Sequence, residues 1–248
     1  MVNFLAIIEG RNPVIEALKN NRDIDKIMLN KAAREGSIKK IVAMARDNNV
    51  MVQQVDRHKL DEMSESHSHQ GVIAIIGEYK YYELDEVLEI PKKKGEEPFF
   101  IILDGVTDPH NLGSIIRTAD AVGAHAVIIP KRRSAHITPV VAKASAGAVE
   151  YVPICKVTNI ANTIKILKEK GLWIAAVDMD GEAFYKQNLS GALALVVGSE
   201  GAGISRLVKQ NCDFIVSMPM SGNVTSLNAS VAGGILLYEV YRQRNGKK

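Results

Sequence analysis

Three short segments of the chain carry side chains that could do chemistry, and each follows an apolar stretch. A side-chain amide can donate and accept hydrogen bonds, a carboxylate can balance positive charge, and a guanidinium can stabilise negative charge. Placed together, these groups predict a polar site for a small ligand. They are Asn111 and Arg117 in the first segment, Glu200 in the second, and Ser226 and Asn228 in the third.

The third segment lies within a long uncharged stretch. No residue from Phe214 to Tyr238 is charged, yet turn formers and amides such as Pro219 and Asn223 interrupt the stretch, which makes it a poor membrane span. A ligand cradle explains it better, with the backbone from Met218 onward presented to an adenine ring. Ser226 and Asn228 then lie at the start of the last helix. Asn228 is equally well explained as a helix cap.

The second segment, Gly198-Ser-Glu200-Gly-Ala-Gly203, has three glycines that permit a tight turn and close backbone approach to a ligand. A dinucleotide-binding loop is the competing interpretation. The order of the glycines does not match that motif, and Asp213 comes too early for the ribose-binding acid. Glu200 would repel a pyrophosphate and suits a neutral or cationic ligand.

The first segment predicts a helix beginning at Leu112 with Asn111 as its N-cap. Arg117 then projects from the second turn. The alternative for Arg117 is an ion pair on a solvated helix surface.

The arrangement of apolar stretches predicts an α/β protein of two domains. Residues 1–77 alternate helix and strand signals and form a small α/β domain, residues 78–97 are a linker, and residues 98–248 form a second domain with a parallel sheet. Ligands of such sheets bind beyond the carboxyl ends of the strands, where the three segments lie. In the first domain, helices are predicted at 13–20 and 37–48, and strands at 25–29, 50–55 and 71–76. In the second, strands are predicted at 99–103, 126–129, 172–177, 193–197 and 214–217.

Composition restricts the classes of function. The 248 residues are 46% hydrophobic, and the start of the chain lacks the features of a signal peptide, so a cytoplasmic protein is expected. Cys155 and Cys212 lack metal-site spacing and are expected to be reduced structural thiols. His67 and His69 are expected to be solvated in a polar turn, and no metal ligand set is found.

A basic run follows the predicted strand at 126–129. The net charge of +3 is only a weak sign of a polyanionic partner, and charge runs are usually solvated faces. Lys131, Arg132 and Arg133 are nevertheless the best candidates for contacts with the phosphates of such a partner.

Taken together, the three segments resemble the motifs of the SpoU branch of the SPOUT family, with the layout of RlmB-like or TrmH-like enzymes. The motifs are Asn111-Leu-Gly-Ser-Ile-Ile-Arg117-Thr-Ala, Val197-Gly-Ser-Glu200-Gly-Ala-Gly-Ile204, and Met218-Pro-Met-Ser-Gly-Asn-Val-Thr-Ser226-Leu-Asn228-Ala-Ser-Val-Ala. The resemblance is good over 99–244. It is looser in the first domain, where Glu9–Leu18 and His69-Gln-Gly-Val-Ile-Ala look like the family's ribosomal-protein-like substrate-binding domain.

The resemblance implies an S-adenosylmethionine (AdoMet)-dependent RNA ribose 2′-O-methyltransferase. It implies a C-terminal α/β domain with a deep trefoil knot, AdoMet bound in the knotted loops, and a homodimer through that domain, with Tyr238 and Tyr241 at the interface. By position, the cofactor residues are Gly198, Met218 and Leu227, with Ser226 adjacent. Arg117, Glu200, Asn228 and Asn111 match positions of catalysis or active-site architecture.

The leading interpretation is methylation of a guanosine in 23S rRNA. A tRNA methyltransferase is the nearest alternative, and a resistance-conferring rRNA methyltransferase is another. An RNA-binding protein that has lost activity and a nicotinamide-dependent enzyme fit the motifs less well. A guanidinium is a poor base at neutral pH, so Arg117 is expected to orient the hydroxyl and stabilise alkoxide charge.

Overall fold

The computed structural model describes residues 6–33, 36–65, 67–76, 79–223 and 226–246. Val224 and Thr225 of the third motif and Glu78 of the predicted linker lie outside the described residues. The packing of the chain divides it into two units. Unit 1 is Met1–Lys80 with His136–Tyr151, and unit 2 is Tyr81–Ala135 with Val152–Lys248.

The first part of unit 1 is a sheet with helices on both faces. The predicted helices and strands are present and differ only at their ends, whereas the first strand and the third helix were not predicted. The elements in chain order are β1 Ala6–Glu9, α1 Arg11–Lys19, β2 Ile24–Asn30, α2 Ser37–Asp47, β3 Met51–Val55, α3 Arg57–Met63 and β4 Val72–Ile76.

The sheet of unit 1 has the strand order β1-β4-β2-β3. Strand β4 is antiparallel to β1 and β2, whereas β3 is parallel to β2. Every residue of β4 is buried, because helices α1 and α2 cover one face and Leu60 of α3 covers the other. This two-sided burial explains why β4 is a continuous apolar run.

Unit 2 is built on a parallel sheet, which confirms the predicted α/β class. Its elements in chain order are α4 Leu84–Lys94, β5 Phe99–Asp104, α5 Pro109–Ala121, β6 Ala126–Pro130, β7 Ile154–Val157, α7 Ile160–Glu169, β8 Trp173–Ala183, β9 Leu193–Gly198, α8 Arg206–Asn211, β10 Phe214–Ser217 and α9 Ala229–Asn245. Helix α6, Pro139–Ala144, comes between β6 and β7 in sequence but belongs to unit 1.

The sheet of unit 2 has the order β10-β8-β9-β5-β6-β7, and each neighbouring pair of these strands is parallel. Strands β5 and β9 are central and buried, as their apolar sequences predicted. Asp104 lies opposite Gly198, so these two strands end side by side. Strand β7 was not predicted, and β8 runs beyond its predicted end.

Residues 78–97, predicted as a linker, contain helix α4. Glu83 begins the helix by donating its backbone N–H to Glu86 Oε2 over 2.8 Å, and Gly95 ends it with a left-handed φ of 66°. Val87 and Leu88 are buried in the core of unit 2. The basic and proline-containing end of this helix obscured its apolar positions in the sequence.

Residues 136–151 are part of unit 1 although they were predicted to lie in the second domain. Helix α6 packs on β1 and α1. Arg22 forms an ion pair with Glu150, and the Tyr151 hydroxyl donates a hydrogen bond to Glu16. The side chains of Arg22 and Glu150 are 14% and 7% exposed, so this ion pair is largely buried.

Cys155 and Cys212 are both free thiols, as expected. Burial raises the pKa of each to about 12, which keeps the thiols protonated and unreactive at neutral pH. No helix of the described residues is long and apolar enough to span a membrane.

Candidate active site

The first segment provides a buried amide, Asn111, in the first turn of the helix that follows β5. Helix α5 begins at Pro109 and is capped by Asp108, whose Oδ1 accepts from the His110 N–H over 2.8 Å. The predicted N-cap role of Asn111 is therefore wrong. Asp108-Pro109 is the stronger start signal, since proline is favoured at the first helical position. Asn111 lies in the first turn, where its side chain is free for another contact.

Asn111, Glu200 and Asn228 form one hydrogen-bonded cluster. Glu200 Oε1 accepts from Asn111 Nδ2 over 2.8 Å and also from Asn228 Nδ2. Asn228 Nδ2 donates in addition to Asn111 Oδ1 over 3.0 Å. One residue from each of the three segments is thus fixed by the other two, and we call this group the amide–carboxylate cluster.

Asn228 serves as a helix cap and also joins the cluster. Its Oδ1 caps helix α9 by accepting from the backbone N–H groups of Ser230 and Val231 over 3.0 and 3.2 Å. Its Nδ2 faces the amide–carboxylate cluster. The cap fixes the orientation of the amide, because backbone N–H groups can bond only to its oxygen.

A cavity of about 310 Å³ lies beside the cluster. All four predicted cofactor residues line it, and so does Glu200. Its walls are mainly apolar, with few polar groups, which is typical of a pocket for a small organic ligand. The lining residues are Val177, Asp178, Met179, Val197, Gly198, Ser199, Glu200, Gly201, Gly203, Met218, Met220, Ser226, Leu227, Ala229 and Ala232.

The glycine-rich turn holds Glu200 at this cavity. Ser199 and Gly203 exchange backbone hydrogen bonds of 3.1 and 2.9 Å, and Gly201 and Gly203 adopt left-handed φ values of 82° and 65°. A Cβ atom on Gly198 would lie 2.2 Å from the carbonyl carbon of Gly203. The turn therefore closes only because glycine stands at 198.

Asp178, at the cavity, was not predicted as a site residue. Its carboxylate pairs with Lys209 Nζ at 3.0 Å, and this bond raises the pKa of Lys209. The signal available in the sequence is the acidic Asp178-Met-Asp180, within the carboxyl end of β8. The predicted strand ends at residue 177, just short of these acids.

Arg117 is not part of the cluster. It lies six residues beyond Asn111 on α5, a rotation of about 600°, which places it on a different side of the helix. Its side chain is exposed, does not line the cavity, and makes no hydrogen bond or ion pair within the described part of the chain. The alternative of a surface ion pair is therefore absent as well.

Lys131, Arg132 and Arg133 directly follow β6 and are all exposed. Arg133 has a left-handed φ of 58°. They do not line the cavity, so any contact they make with a polyanion is separate from it.

The two histidines of the turn before β4, His67 and His69, differ. His67 is exposed, as expected, but His69 is buried, so the expectation of a solvated ring is wrong for His69. Its Nε2 lies 2.9 Å from Asp61 and its Nδ1 accepts from the Gly71 N–H. No group of three or more potential metal ligands occurs among the described residues.

Comparison with models of known families places the chain in a known class of protein. Residues 98–238 match the SpoU rRNA methylase family, and residues 7–82 match the model described as RNA 2′-O ribose methyltransferase substrate binding. The chain belongs to the SpoU rRNA methylase family.

Particular relatives support this membership. The chain is 49% identical over 238 residues to YacO of Bacillus subtilis, and 47% identical over 241 residues to a Staphylococcus aureus protein. Both are named as TrmH family tRNA/rRNA methyltransferases. The matches cover 95% of this chain and of YacO, and 96% of this chain and of the S. aureus protein.

Solved structures share the fold. An AdoMet-bound rRNA methyltransferase from Sinorhizobium meliloti has a TM-score of 0.80 at 26% identity, covering 97% of this chain and 87% of that one. The SpoU methyltransferase AviRb from Streptomyces viridochromogenes, with AdoMet, has a TM-score of 0.81 at 24% identity, covering 97% and 90%. A TrmH/SpoU tRNA-modifying enzyme from A. aeolicus has a TM-score of 0.56 at 32% identity and covers 61% of this chain and 78% of that one.

Proposed function

We propose that the protein transfers a methyl group from AdoMet to a ribose 2′-hydroxyl of RNA. The observation that carries the proposal is the amide–carboxylate cluster at the edge of a mainly apolar cavity that contains all four predicted cofactor residues. Family membership and the AdoMet-bound relatives support the same reaction class.

The cavity suits AdoMet in the charge and the polarity of its lining. Gly198, Met218, Ser226 and Leu227 would hold the cofactor, whose sulfonium supplies an activated methyl group. Apolar walls suit the adenine ring and methylene groups, and the carboxylate of Glu200 suits a cationic ligand. Hydrogen bonds from Asn111 and Asn228 fix the Glu200 carboxylate in place. Its negative charge is therefore already positioned beside the cavity before a ligand binds.

In the proposed site, the chain's own residues position the ribose and stabilise charge. Asn111 and Asn228 hold Glu200, and their amides can also orient the substrate. Arg117, which is exposed and unpaired among the described residues, is available to a ribose and its phosphate. Its positive charge would stabilise the developing alkoxide, and the proton would pass to phosphate or solvent.

We propose a guanosine of 23S rRNA as the target. The two-unit chain is matched over 97% of its length by the S. meliloti rRNA enzyme, whereas the A. aeolicus tRNA enzyme covers 61% of it. The rRNA enzyme therefore matches unit 1 as well as unit 2.

The proposed place of action of the protein is the cytoplasm, where rRNA is found.

We also propose a homodimer through α9 and a trefoil knot in unit 2. An exposed apolar stripe on α9 supports the dimer. Its side chains, Val231, Ile235, Tyr238 and Tyr241, are spaced so that they share one face of the helix, and a contiguous exposed apolar face is typical of a protein–protein interface. The proposal of a knot rests on membership of the SpoU rRNA methylase family.

The decisive experiment supplies the protein with methyl-labelled AdoMet and separate unmodified pools of 23S rRNA, 16S rRNA and tRNA. We expect label in 23S rRNA, at the ribose of a guanosine after nuclease mapping. Label only in tRNA would replace the rRNA target by the tRNA alternative. AdoMet binding without transfer to any pool would favour the inactive RNA-binding protein.

The basic run gives a separate test of RNA binding. Replacing Lys131, Arg132 and Arg133 by Gln should weaken RNA binding and reduce the slope of log affinity against log salt by about 0.7–0.9 for each phosphate that is no longer neutralised. Filter binding at several salt concentrations measures both. An unchanged slope would show that these side chains do not bind phosphates.

A further inference from the structure

Unit 1 contains a cavity of about 610 Å³ that the proposed reaction does not use. It lies where β2, α3 and the turn before β4 meet. We call it the unit 1 cavity. The residues that line it are Arg11, Asn30, Ala32, Ala33, Arg57, Asp61, His67, Ser68, His69, Gln70 and Gly71.

The walls of this cavity are held by specific contacts. Gln70 Oε1 accepts from the Arg11 N–H, and Arg11 Nε donates to the Gln70 carbonyl, both over 3.2 Å. Buried His69 links Asp61 to the Gly71 N–H. These bonds join the start of α1, helix α3 and the turn before β4, so the cavity is a formed feature.

The amide and guanidinium groups that remain open to the cavity are hydrogen-bond donors, whereas the Ser68 hydroxyl and the His67 ring, which also line it, can donate or accept. The side-chain oxygens of Asn30 and Gln70 each accept from a backbone N–H, of Ala32 and Arg11 respectively. Their NH₂ groups therefore remain as donors, and neither has a partner among the described residues. The terminal guanidinium nitrogens of Arg11 have no such partner either.

Negatively charged hydrogen-bond acceptors are scarce in the lining of the unit 1 cavity. Asp61 is the one carboxylate among the described lining residues, and it already faces His69 at 2.9 Å and Arg57 at 3.8 Å. Helix α6 adds a further positive charge at the rim, since Lys143 Nζ donates to the Ser68 carbonyl over 3.2 Å. A cavity with cationic and amide donors selects a ligand that is anionic and rich in acceptors.

We infer that the unit 1 cavity binds an unpaired nucleotide of the RNA substrate, with its phosphate at Arg57 and Arg11 and its base edge at the amides of Asn30 and Gln70. This inference rests on the proposed function for the identity of RNA as the substrate. Single-stranded loops are the usual targets of specific RNA recognition, through hydrogen bonds to splayed bases and contacts with guanidinium planes. The volume lies within the range of about 300–1,000 Å³ typical of small-ligand pockets.

Two substitutions in the full-length protein test the inference. Arg57→Gln removes a charge whose ion pair is weak, because the Arg57 and Asp61 side chains are 78% and 54% exposed. Gln70→Glu retains the oxygen that accepts from Arg11 but replaces the free NH₂ donor by a carboxylate oxygen. Arg46→Gln and Gln54→Glu make the same chemical changes at exposed positions of unit 1 outside the cavity lining.

Binding of a labelled, unmodified 23S rRNA transcript is measured at several salt concentrations, together with AdoMet affinity and melting temperature. Arg57→Gln and Gln70→Glu should each weaken RNA binding about tenfold, and Arg57→Gln should reduce the salt slope by about 0.7–0.9. Both controls should stay within about twofold of wild type. AdoMet affinity should not change.

Equal RNA affinity in all four variants would overturn the inference. Binding of inorganic phosphate that Arg57→Gln abolishes, with RNA affinity unchanged, would show a phosphate site and overturn it too. If instead the variants lose RNA affinity but wild type transfers no methyl group and binds no AdoMet, the proposed reaction fails while RNA recognition by this cavity stands.

Discussion

At the scale of single residues, each side-chain amide of the amide–carboxylate cluster has two roles. Asn228 caps α9 with its oxygen and bonds Glu200 with its nitrogen. Asn111 donates to Glu200 and accepts from Asn228. A carboxylate that accepts two amide N–H bonds is held in one orientation without losing its charge, which is what a cationic ligand requires.

Replacing Asn111 by Asp places a second carboxylate against Glu200. Repulsion should break the cluster, and methyl transfer should fall by about 100-fold or more, the usual effect of losing one active-site donor. Single-turnover assays with labelled AdoMet measure it. Asn188→Asp is the matched control, because Asn188 uses only its Oδ1, which accepts from Ser190. Equal activity of the two variants would argue against a role for the cluster.

Arg117→Lys separates guanidinium geometry from charge. Arg117 lies outside the cavity lining, so AdoMet affinity should stay unchanged while the rate of transfer falls by about tenfold or more. Isothermal titration and single-turnover rates measure the two effects. Arg46→Lys, at an exposed position of α2, should alter neither. Near-normal turnover of Arg117→Lys would contradict a specific guanidinium role.

At the scale of elements, periodic apolar patterns predicted most helices and strands. Strands β5 and β9 were recognisable because both faces of each are buried. Strand β7 was not, since Ile154-Cys-Lys-Val is short and contains a lysine. Helix α4 was missed because Pro91 and the lysines around it dominate the composition.

The candidate site was predictable to a similar degree. The three segments were found from residue types, and the parallel sheet explains why they meet. The role of Asn111 was misjudged, because Asp108-Pro109 begins the helix one turn earlier. The pairing of Asp178 with Lys209 joins β8 to α8, and no local pattern encodes such a long-range contact.

The ion pair between Arg22 and Glu150 gives a prediction about the segment 136–151. Arg22→Ala leaves a buried carboxylate without a partner and should lower the free energy of unfolding by about 3–5 kcal/mol at pH 7. Burial raises the pKa of Glu150. In the folded variant Glu150 therefore takes up a proton more readily than in the unfolded chain, so the loss of stability should shrink as pH falls toward 5.

Urea denaturation across this pH range measures the effect, together with amide hydrogen exchange of residues 136–151. Lys59→Ala is the control, because its pair with Glu62 is 57% and 51% exposed and should contribute no more than about 0.5 kcal/mol. A loss of stability that grows as pH falls would contradict the assignment of Glu150.

At the scale of the whole molecule, the exposed stripe on α9 predicts the oligomeric state. Tyr238→Glu places a charge on a face that the dimer would bury, so the protein should become monomeric without unfolding, because Tyr238 is 54% exposed in the single chain. Sedimentation velocity and melting temperature measure this. Leu207→Glu, 59% exposed on α8, should leave the oligomeric state unchanged. A wild-type monomer would refute the dimer.

Unit 1 is built from two separate stretches of sequence, which limits how substrate-binding modules can be exchanged between members of this family. Val141, Ala142, Ala148 and Val149 are buried, although they come from a stretch that matches the methylase family model. A fragment ending near residue 80 would lack helix α6 and the partner of Arg22. Grafting a foreign substrate-binding module onto this protein would thus require two exchanges in the gene, one at its beginning and one replacing residues 136–151.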